Sequence, residues 1–274
     1  MKPERYPLFD WMRLGLALLV VLSHSFYLSS TRKEPLHELT GGAVTIGGLA
    51  VAGFFLLSGF VTTQSALLSS SANSFLWKRA CRIVPGLLLV LPLSFCLPGF
   101  RNAPLWSIPY ECAAYALLFV LMSLKQVTKP TLLVLFAMFL ATYLATGPKM
   151  AMPAYGSNFL GLVSWLGTMY FAGSVAFVMR SRLPLAFAKK VRDMKHDFSY
   201  GVYIWHFAVL FFVRNLGVPA VETFVLALAG TLPVAFLSWK YVEKPALSLK
   251  NWDPRKQPRL APLPLAQSSE LPVP

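Results

Sequence analysis

Long apolar runs with very few charges are the feature that most constrains this chain. Of its 274 residues, 56% are hydrophobic and only 13% are charged, whereas roughly a quarter of the residues in a soluble domain are charged. The apolar content is also too high for a disordered chain. The runs are continuous, without the alternation of a membrane β-barrel strand. The sequence therefore predicts an all-α, polytopic bundle of membrane helices.

The apolar runs divide into about eight candidate spans, since a helix needs about 20 residues to cross a bilayer. They cover residues 11–28, 43–67, 83–97, 105–124, 131–146, 158–179, 198–213 and 219–240. A cleaved signal peptide is an alternative for the first run, but a leader has no need of Asp10, Arg13 and His24. Residues 1–250 are assigned to one membrane domain, and the proline-rich residues 251–274 to a disordered cytoplasmic tail.

Basic residues indicate the orientation of the bundle. With the N-terminus in the cytoplasm, 20 of the 25 Lys and Arg residues fall at cytoplasmic ends of spans and five at outer ends. Such an excess marks the cytoplasmic side of a membrane protein. The net charge of +14 is therefore interpreted as an orientation signal rather than as affinity for nucleic acid. Both termini are predicted to be cytoplasmic.

Ionisable side chains inside the spans are costly, so each is a candidate functional residue. Arg13 and His24 share a face of the first span, because 11 positions are about three helical turns, or about 16 Å. Asp10 precedes Arg13 by three positions and can pair with it. Glu111 enters the fourth span from the outer side and reaches about 9 Å depth, similar to His24. A carboxylate beside a histidine is typical of a general base.

Each of these residues also has a purely structural interpretation. Arg13 can extend its charge to the membrane surface, and His24 can bond a backbone carbonyl. Glu111 can be a hydrogen-bonded packing residue. His206, near the middle of the seventh span, either lines the same cavity or hydrogen-bonds a neighbouring helix.

A basic cluster follows the second span. Lys78, Arg79 and Arg82 either anchor the next helix at the membrane surface or, together with Arg13, form a phosphate site. Nucleotide-binding loops of the Walker or dinucleotide type are absent from the sequence, so an ATPase has no support. The three cysteines are Cys81, Cys96 and Cys112. Their spacing is not that of metal ligands, so no metal site is predicted.

Six segments, in this order, resemble the acyltransferase 3 family of integral-membrane O-acyltransferases. They are Asp10-x-x-Arg13 followed by His24, residues 54–60 (FFLLSGF), 78–85 (KRACRIVP), 105–111 (LWSIPYE), 199–206 (SYGVYIWH) and 243–245 (EKP). Each segment alone is a weak pattern, but the six together extend over nearly the whole chain and form a specific match.

The resemblance implies transfer of an acyl group, most often acetyl, from cytoplasmic acyl-CoA to a hydroxyl of a carbohydrate. The acceptor would be a cell-surface or exported glycan, and the location the bacterial cytoplasmic (inner) membrane. His24 is then the catalytic histidine and Glu111 the matching acidic residue. No tightly bound cofactor is expected, and acyl-CoA acts as the donor substrate. The expected partners of the protein are therefore acyl-CoA, the carbohydrate acceptor and the lipid bilayer.

The expected donor site lies at the cytoplasmic face. Its binding residues would be Arg13, Lys78, Arg79 and Arg82. The pantetheine arm would then extend the ~16 Å along the first span to His24. Further candidates for the cavity lining are Asp10, Ser58, Tyr110, Tyr203 and His206.

The chain also departs from the family pattern. It is shorter, as if two spans between the fourth and the seventh were missing, and Ala52 stands where an acidic residue is frequent. Two other interpretations therefore stay open. One is a transporter or flippase of a sugar or lipid-linked substrate with an intramembrane His/Glu relay. The other is an inactive scaffold. Within the enzyme interpretation, direct transfer and an acyl-histidine intermediate are both open.

Overall fold

Helices are the regular secondary structure of this computed structural model, which describes residues 4–146 and 159–251 and contains no strand among them. The helices are α1 (Pro7–Leu28), α2 (Pro35–Leu39), α3 (Ile46–Leu68), α4 (Ala72–Val90), α5 (Leu93–Cys96), α6 (Ile108–Ser123), α7 (Lys129–Thr146), α8 (Phe159–Val178), α9 (Ala186–Lys190), α10 (Ser199–Val213), α11 (Ala220–Ser238) and α12 (Lys244–Ser248). The predicted all-α class is confirmed. The predicted tail after residue 251 and the predicted start of the sixth span at residue 158 lie outside the described residues.

Seven helical segments in the described ranges are long and apolar enough to cross a membrane. They are Pro7–Leu28, Ile46–Leu68, Ala72–Cys96, Ala103–Ser123, Lys129–Thr146, Phe159–Val178 and Ala220–Ser248. The remaining predicted span forms α10, whose 15 residues reach about 22 Å. This length is less than the ~30 Å hydrocarbon core, which explains the difference between seven and about eight. The protein is therefore an integral, polytopic helical bundle.

Capping side chains set the start of two central helices. The Thr45 hydroxyl accepts a hydrogen bond from the Gly48 amide at 2.8 Å, and the Ser71 hydroxyl accepts one from the Ser74 amide at 3.1 Å. The cap at Ser71 starts α4 well before residue 83, where the apolar run begins. The basic cluster predicted to follow the second span therefore lies on a helix rather than in a loop.

Two glycines bring the backbones of α3 and α8 into contact. A Cβ added at Gly59 would lie 1.8 Å from the Tyr170 carbonyl oxygen, and one added at Gly173 would lie 1.9 Å from the Leu56 carbonyl oxygen. Small residues allow this close approach in membrane bundles. The crossing buries most of α3 and makes it the central helix, with α1 packed beside it.

Contacts between loops group the helix ends as the charge bias predicts. Glu4 bonds Lys189 at 2.7 Å at one end of the bundle, and the Ser30 amide donates to the Val218 carbonyl at 3.2 Å at the other. The hydrogen bonds from Lys189 and then from Tyr6 lower the pKa of Glu4 to about 2. Each contact joins two segments that were predicted to lie on the same side of the membrane: the first on the cytoplasmic side, the second on the outer side. The grouping of helix ends therefore agrees with the predicted topology.

Candidate active site

A cavity of about 760 Å³ lies between α1, α3, α4, α6 and α10, within the size range of small-molecule sites. On α3 its lining extends from Val51 to Leu68, which is about 25 Å along the helix axis. The cavity therefore connects the predicted cytoplasmic end of the bundle with its outer half.

Five basic side chains line this cavity. They are Arg13, Lys78, Arg79, Arg82 and Lys250. The structure thus brings together the four residues that the sequence predicts as a donor site, although they come from two helices, α1 and α4. Lys250 follows α12 and was not among the predicted residues, because nothing in the sequence indicates that this distant segment packs beside α4.

Hydroxyl groups and an aromatic ring, rather than carboxylates, hold two of these cations. Lys78 Nζ donates to the Ser69 hydroxyl at 3.0 Å, and Arg79 Nη2 donates to that of Ser65 at 3.4 Å. The Arg79 guanidinium also lies 6.0 Å from the ring centroid of Tyr115. Within the described part of the chain, its buried Nε has no hydrogen-bond partner. The charges of both residues remain available to an anion in the cavity.

Acidic residues hold the other two predicted cations. Arg82 Nη2 lies 2.8 Å from Asp197 Oδ2, and Arg13 Nη1 lies 3.3 Å from Asp10 Oδ1, as the Asp10–Arg13 spacing predicts. Burial tends to raise the pKa of Asp197, but the charges of Arg82 and Arg13 and a hydrogen bond from Ser199 outweigh it, and the pKa falls to about 2. Asp197 therefore stays ionised and orients Arg82. No sequence pattern marks Asp197 as a site residue, because it lies in the loop before α10.

Glu111 lines the cavity, but it does not meet His24. Its Oε1 accepts hydrogen bonds from the Ser58 hydroxyl at 3.2 Å and from the Tyr115 hydroxyl. The prediction that Glu111 lies beside His24 is therefore wrong, whereas its assignment as a catalytic residue stays a prediction. Ser58 lines the cavity, as expected.

His24 instead meets His206, which is carried by α10. His24 Nδ1 lies 3.2 Å from His206 Nε2 and 3.0 Å from the Val20 carbonyl oxygen. His206 is fully buried, while His24 keeps 6% of its surface exposed. Of the two interpretations that the sequence left open, the second is correct: His206 hydrogen-bonds a neighbouring helix, α1, which carries the candidate catalytic residue. The prediction that His206 lines the cationic cavity is wrong.

Tyr203 separates the histidine pair from the cavity. Its ring lines the cavity and lies 6.1 Å, centroid to centroid, from the ring of His206. Its hydroxyl shares a hydrogen bond of 2.7 Å with the Ser107 hydroxyl and donates to the Pro104 carbonyl at 2.7 Å. The histidine pair therefore lies one side chain behind the cavity wall.

The same contacts show why Glu111 and His24 differ in depth. His206 is about one helical turn beyond Tyr203 on α10, and Glu111, on the antiparallel α6, is about one turn beyond Ser107, the residue before that helix. Two turns, or about 11 Å along the bundle axis, then separate the histidine pair from Glu111. Residue counts from the ends of spans could not reveal this offset, because α6 is preceded by a turn of 3₁₀ helix, Ala103–Ser107.

Tyr110 faces a different cavity from the one predicted. It lines an apolar cavity of about 540 Å³ between α6, α7 and α8, and its ring contacts those of Trp106 and Phe159. Tyr110 and Glu111 are neighbours in sequence, so on a helix they point about 100° apart. The assignment of Tyr110 to the cationic cavity is therefore wrong.

A buried acid, Glu243, belongs to the last of the six sequence segments, for which no role was predicted. It is 2% exposed and lies in a turn of π-helix, Trp239–Glu243. The Ser238 hydroxyl donates to its Oε1 at 3.0 Å, and its Oε2 has no partner in the described residues. In residues 4–146 and 159–251, no group of three or more His, Cys, Asp or Glu side chains could hold a metal ion.

Comparisons with known proteins agree with this picture. Residues 6–191 match a family model described as an acyltransferase domain. An O-acetyl transferase of Shigella phage Sf6 is 26% identical over 335 aligned residues, which cover 92% of this chain and 98% of that relative. The alignment is longer than the 274-residue chain, so the phage protein contains residues without a counterpart here.

A second relative matches a shorter part of the chain. Nodulation protein 10 of Rhizobium leguminosarum bv. viciae is 37% identical over 97 residues, which are 34% of this chain and 26% of that protein. No solved structure matches the chain.

Proposed function

The chain belongs to the acyltransferase 3 family, and we propose that it is a membrane O-acetyltransferase that moves an acetyl group from cytoplasmic acetyl-CoA to a hydroxyl of a carbohydrate. Similarity to the phage O-acetyl transferase over 92% of the chain supports the acetyl group. The carbohydrate acceptor, an exported or cell-surface glycan, and the bacterial inner membrane rest on the family resemblance. Membership of an acyltransferase family argues against the alternative of a transporter or flippase.

The observation that carries the proposal is the cavity with a cationic end. CoA carries three phosphate groups at its nucleotide end, and phosphates bind preferentially to clustered Arg and Lys side chains. Lys78 and Arg79 have hydroxyl partners, and Arg82 is held by Asp197. A phosphate group can therefore approach the first two without displacing a carboxylate.

The length of the cavity fits the rest of the donor. From the cationic end the cavity extends for about 25 Å beside α3 to the side chains around Tyr203. An extended pantetheine arm in this space places the thioester next to the wall that covers the histidine pair. Transfer then requires Tyr203 to move aside or the acceptor hydroxyl to reach His24 from the outer side.

In the proposed reaction His24 is the general base. The acceptor hydroxyl gives its proton to the imidazole while its oxygen attacks the thioester carbonyl carbon. The carbon–sulfur bond breaks, and the CoA thiolate takes the proton from the imidazolium. The alternative route forms an acetyl-histidine and releases CoA before the acceptor binds. Glu111, in the cavity wall, is proposed to contact the donor rather than to orient His24.

The proposal is tested with the purified chain in proteoliposomes, using acetyl-CoA labelled in the acetyl group and a glycan acceptor. The expected result is transfer of label to the glycan in an ester that mild alkali removes. His24→Ala is expected to abolish transfer, and the matched control His37→Ala, in the short helix α2 on the outer side, to keep it. Formation of labelled acetyl-enzyme with release of CoA, in the absence of acceptor, would select the acetyl-histidine route.

Two outcomes would contradict the proposal. Movement of glycan across the membrane without transfer of label would favour the transporter. Absence of both activities across a panel of glycan acceptors, with a folded protein, would favour an inactive scaffold. Mass spectrometry of surface glycans from cells with and without the protein identifies the acceptor, because acetylation adds one acetyl mass.

A further inference from the structure

The hydrogen bonds of the histidine pair have a defined direction. His206 Nδ1 lies 2.7 Å from the Tyr203 carbonyl oxygen and 3.2 Å from that of Val202. His24 Nδ1 lies 3.0 Å from the Val20 carbonyl oxygen. A carbonyl oxygen can only accept a hydrogen bond. Each Nδ1 must therefore carry a proton for these contacts to be hydrogen bonds.

The contact between the two rings then has only one arrangement for neutral histidines. A neutral imidazole has one N–H, so the Nε2 of each ring carries a lone pair. His206 Nε2 is thus an acceptor, and the Nδ1–H of His24, 3.2 Å away, is its donor. The opposite direction would require the proton of His206 on Nε2, which would leave its unprotonated Nδ1 facing the Tyr203 carbonyl oxygen at 2.7 Å, two acceptors in contact.

We propose that His206 is a positioning residue for acetyl transfer, holding His24 as the tautomer whose Nε2 is the base and accepting its Nδ1–H when the ring becomes charged. This inference rests on the proposed function. It assigns to His206 the part that sequence analysis gave to Glu111. The Val20 carbonyl belongs to the same helix as His24, whereas His206 comes from α10, so the hydrogen bond to His206 couples the ring to another helix of the bundle.

The burial of the two rings supports this division of roles. His206 has no exposed surface, while His24 keeps 6%, so a reacting group can approach only His24. Both hydrogen bonds that His24 makes among the described residues use Nδ1, and its Nε2 is left for the substrate. The low polarity around His206 strengthens its hydrogen bond, which stabilises the imidazolium that forms during transfer.

The direct test is the tautomer of each ring in the full-length protein. Nitrogen-15 NMR of protein labelled at its four histidines distinguishes Nδ1–H from Nε2–H rings without substrate. Two rings in the Nδ1–H form are expected, one lost in His24→Gln and the other in His206→Gln. A proton on Nε2 of either ring would overturn the inference. Because no transfer is measured, failure of this test is separate from failure of the proposed function.

Kinetics of two variants then separate positioning from packing. His206→Leu fills the space without an acceptor, and we expect kcat to fall by about 10- to 100-fold with an unchanged KM for acetyl-CoA. His206→Gln restores an acceptor oxygen opposite His24 and is expected to recover most of kcat. The matched control His196→Leu, at the cytoplasmic side, should leave kcat unchanged.

Either of two results would contradict the positioning role. Equal kcat values for the Leu and Gln variants would mean that the hydrogen bond to His24 has no part in the reaction. A change confined to KM would mean that His206 affects the donor site. If His206→Leu does not fold, the Gln variant and the tautomers of the unmodified protein still decide the question.

Discussion

The two ends of the long cavity differ in whether their ionisable side chains are available to a ligand. At the cytoplasmic end, Lys78 and Arg79 are held by hydroxyl groups, and their charges face a cavity. At the outer end, His24 and His206 are buried behind Tyr203 and satisfy each other. An open site with uncompensated charge suits a mobile polyphosphate ligand. A closed, hydrogen-bonded pair suits a base whose orientation must be fixed before the substrate arrives.

The largest expected effect is at the closed end. His24→Ala removes the proposed base, and we expect acetyl transfer to fall by about 10² to 10⁴-fold with an unchanged elution volume and melting temperature. Initial rates in detergent and in proteoliposomes measure the change. Residual transfer above one tenth of the normal rate would show that His24 is not the base. It would also contradict the assignment of different roles to the two ends.

The next effect is at the open end. We expect the double substitution of Lys78 and Arg79 by Ala to raise the KM for acetyl-CoA by about 10²- to 10⁴-fold, because each of the two charge-assisted hydrogen bonds contributes about 1.5–3 kcal/mol, and to leave kcat nearly unchanged. Exposed Lys33 and Arg101, substituted by Ala in the same way, are the matched control. A fall of kcat at unchanged KM would show that both ends serve the chemical step.

A smaller effect is expected at Glu111, between the two ends. Gln at this position still accepts hydrogen bonds from Ser58 and Tyr115, so we expect Glu111→Gln to lower kcat by less than about fivefold, equivalent to about 1 kcal/mol. The rates are measured at saturating acetyl-CoA. A loss as large as that of His24→Ala would contradict the separation of Glu111 from the base and revive the pairing expected from the sequence.

The last effect is on stability rather than on transfer, where the smallest change is expected, and concerns the acid that holds Arg82. The pKa of Asp197 is lowered from 3.8 to about 2 in the folded protein. A lowered pKa stabilises the fold above the unfolded value and loses this contribution as pH falls from about 4 through about 2. Asp197→Asn is therefore expected to be less stable at pH 6 by roughly 2 kcal/mol, with the difference shrinking towards pH 2.

Thermal unfolding of both proteins across this pH range measures the effect. Glu4, whose pKa is also about 2, contributes equally to both proteins and cancels in the difference. A difference that stays constant with pH would mean that Asp197 acts through packing and not through its charge.

Much of the fold could be predicted because its signals are local. Apolar runs of span length identify each membrane helix, and the bias of basic residues groups their ends. The clustering of cations at one end of the cavity was also predictable in part, since Arg13 and the cluster on α4 were assigned to the same side of the membrane. The start of α4 at Ala72 could not be predicted from the apolar run, because the first part of this helix is polar and its cations reach a cavity.

The partners of the site residues depended on how the helices rotate against each other. The helix α10 is apolar on nearly all sides, so its sequence period does not say which face meets α1. Packing decides three features of the site. It places His206 against His24, it separates Glu111 from this pair by about two turns, and it directs Tyr110 into a second cavity. Asp197 joins the site from a loop and Lys250 from the short 3₁₀ turn after α12, where no apolar periodicity marks a face.

The sequence by itself thus determined the helical class, the grouping of the helix ends and the family, because hydropathy, charge bias and short motifs are properties of neighbouring residues. Only the tertiary structure decided which ionisable groups meet. Buried polar groups must find partners, and the packing of α1 against α10 places His24 beside His206 rather than beside Glu111.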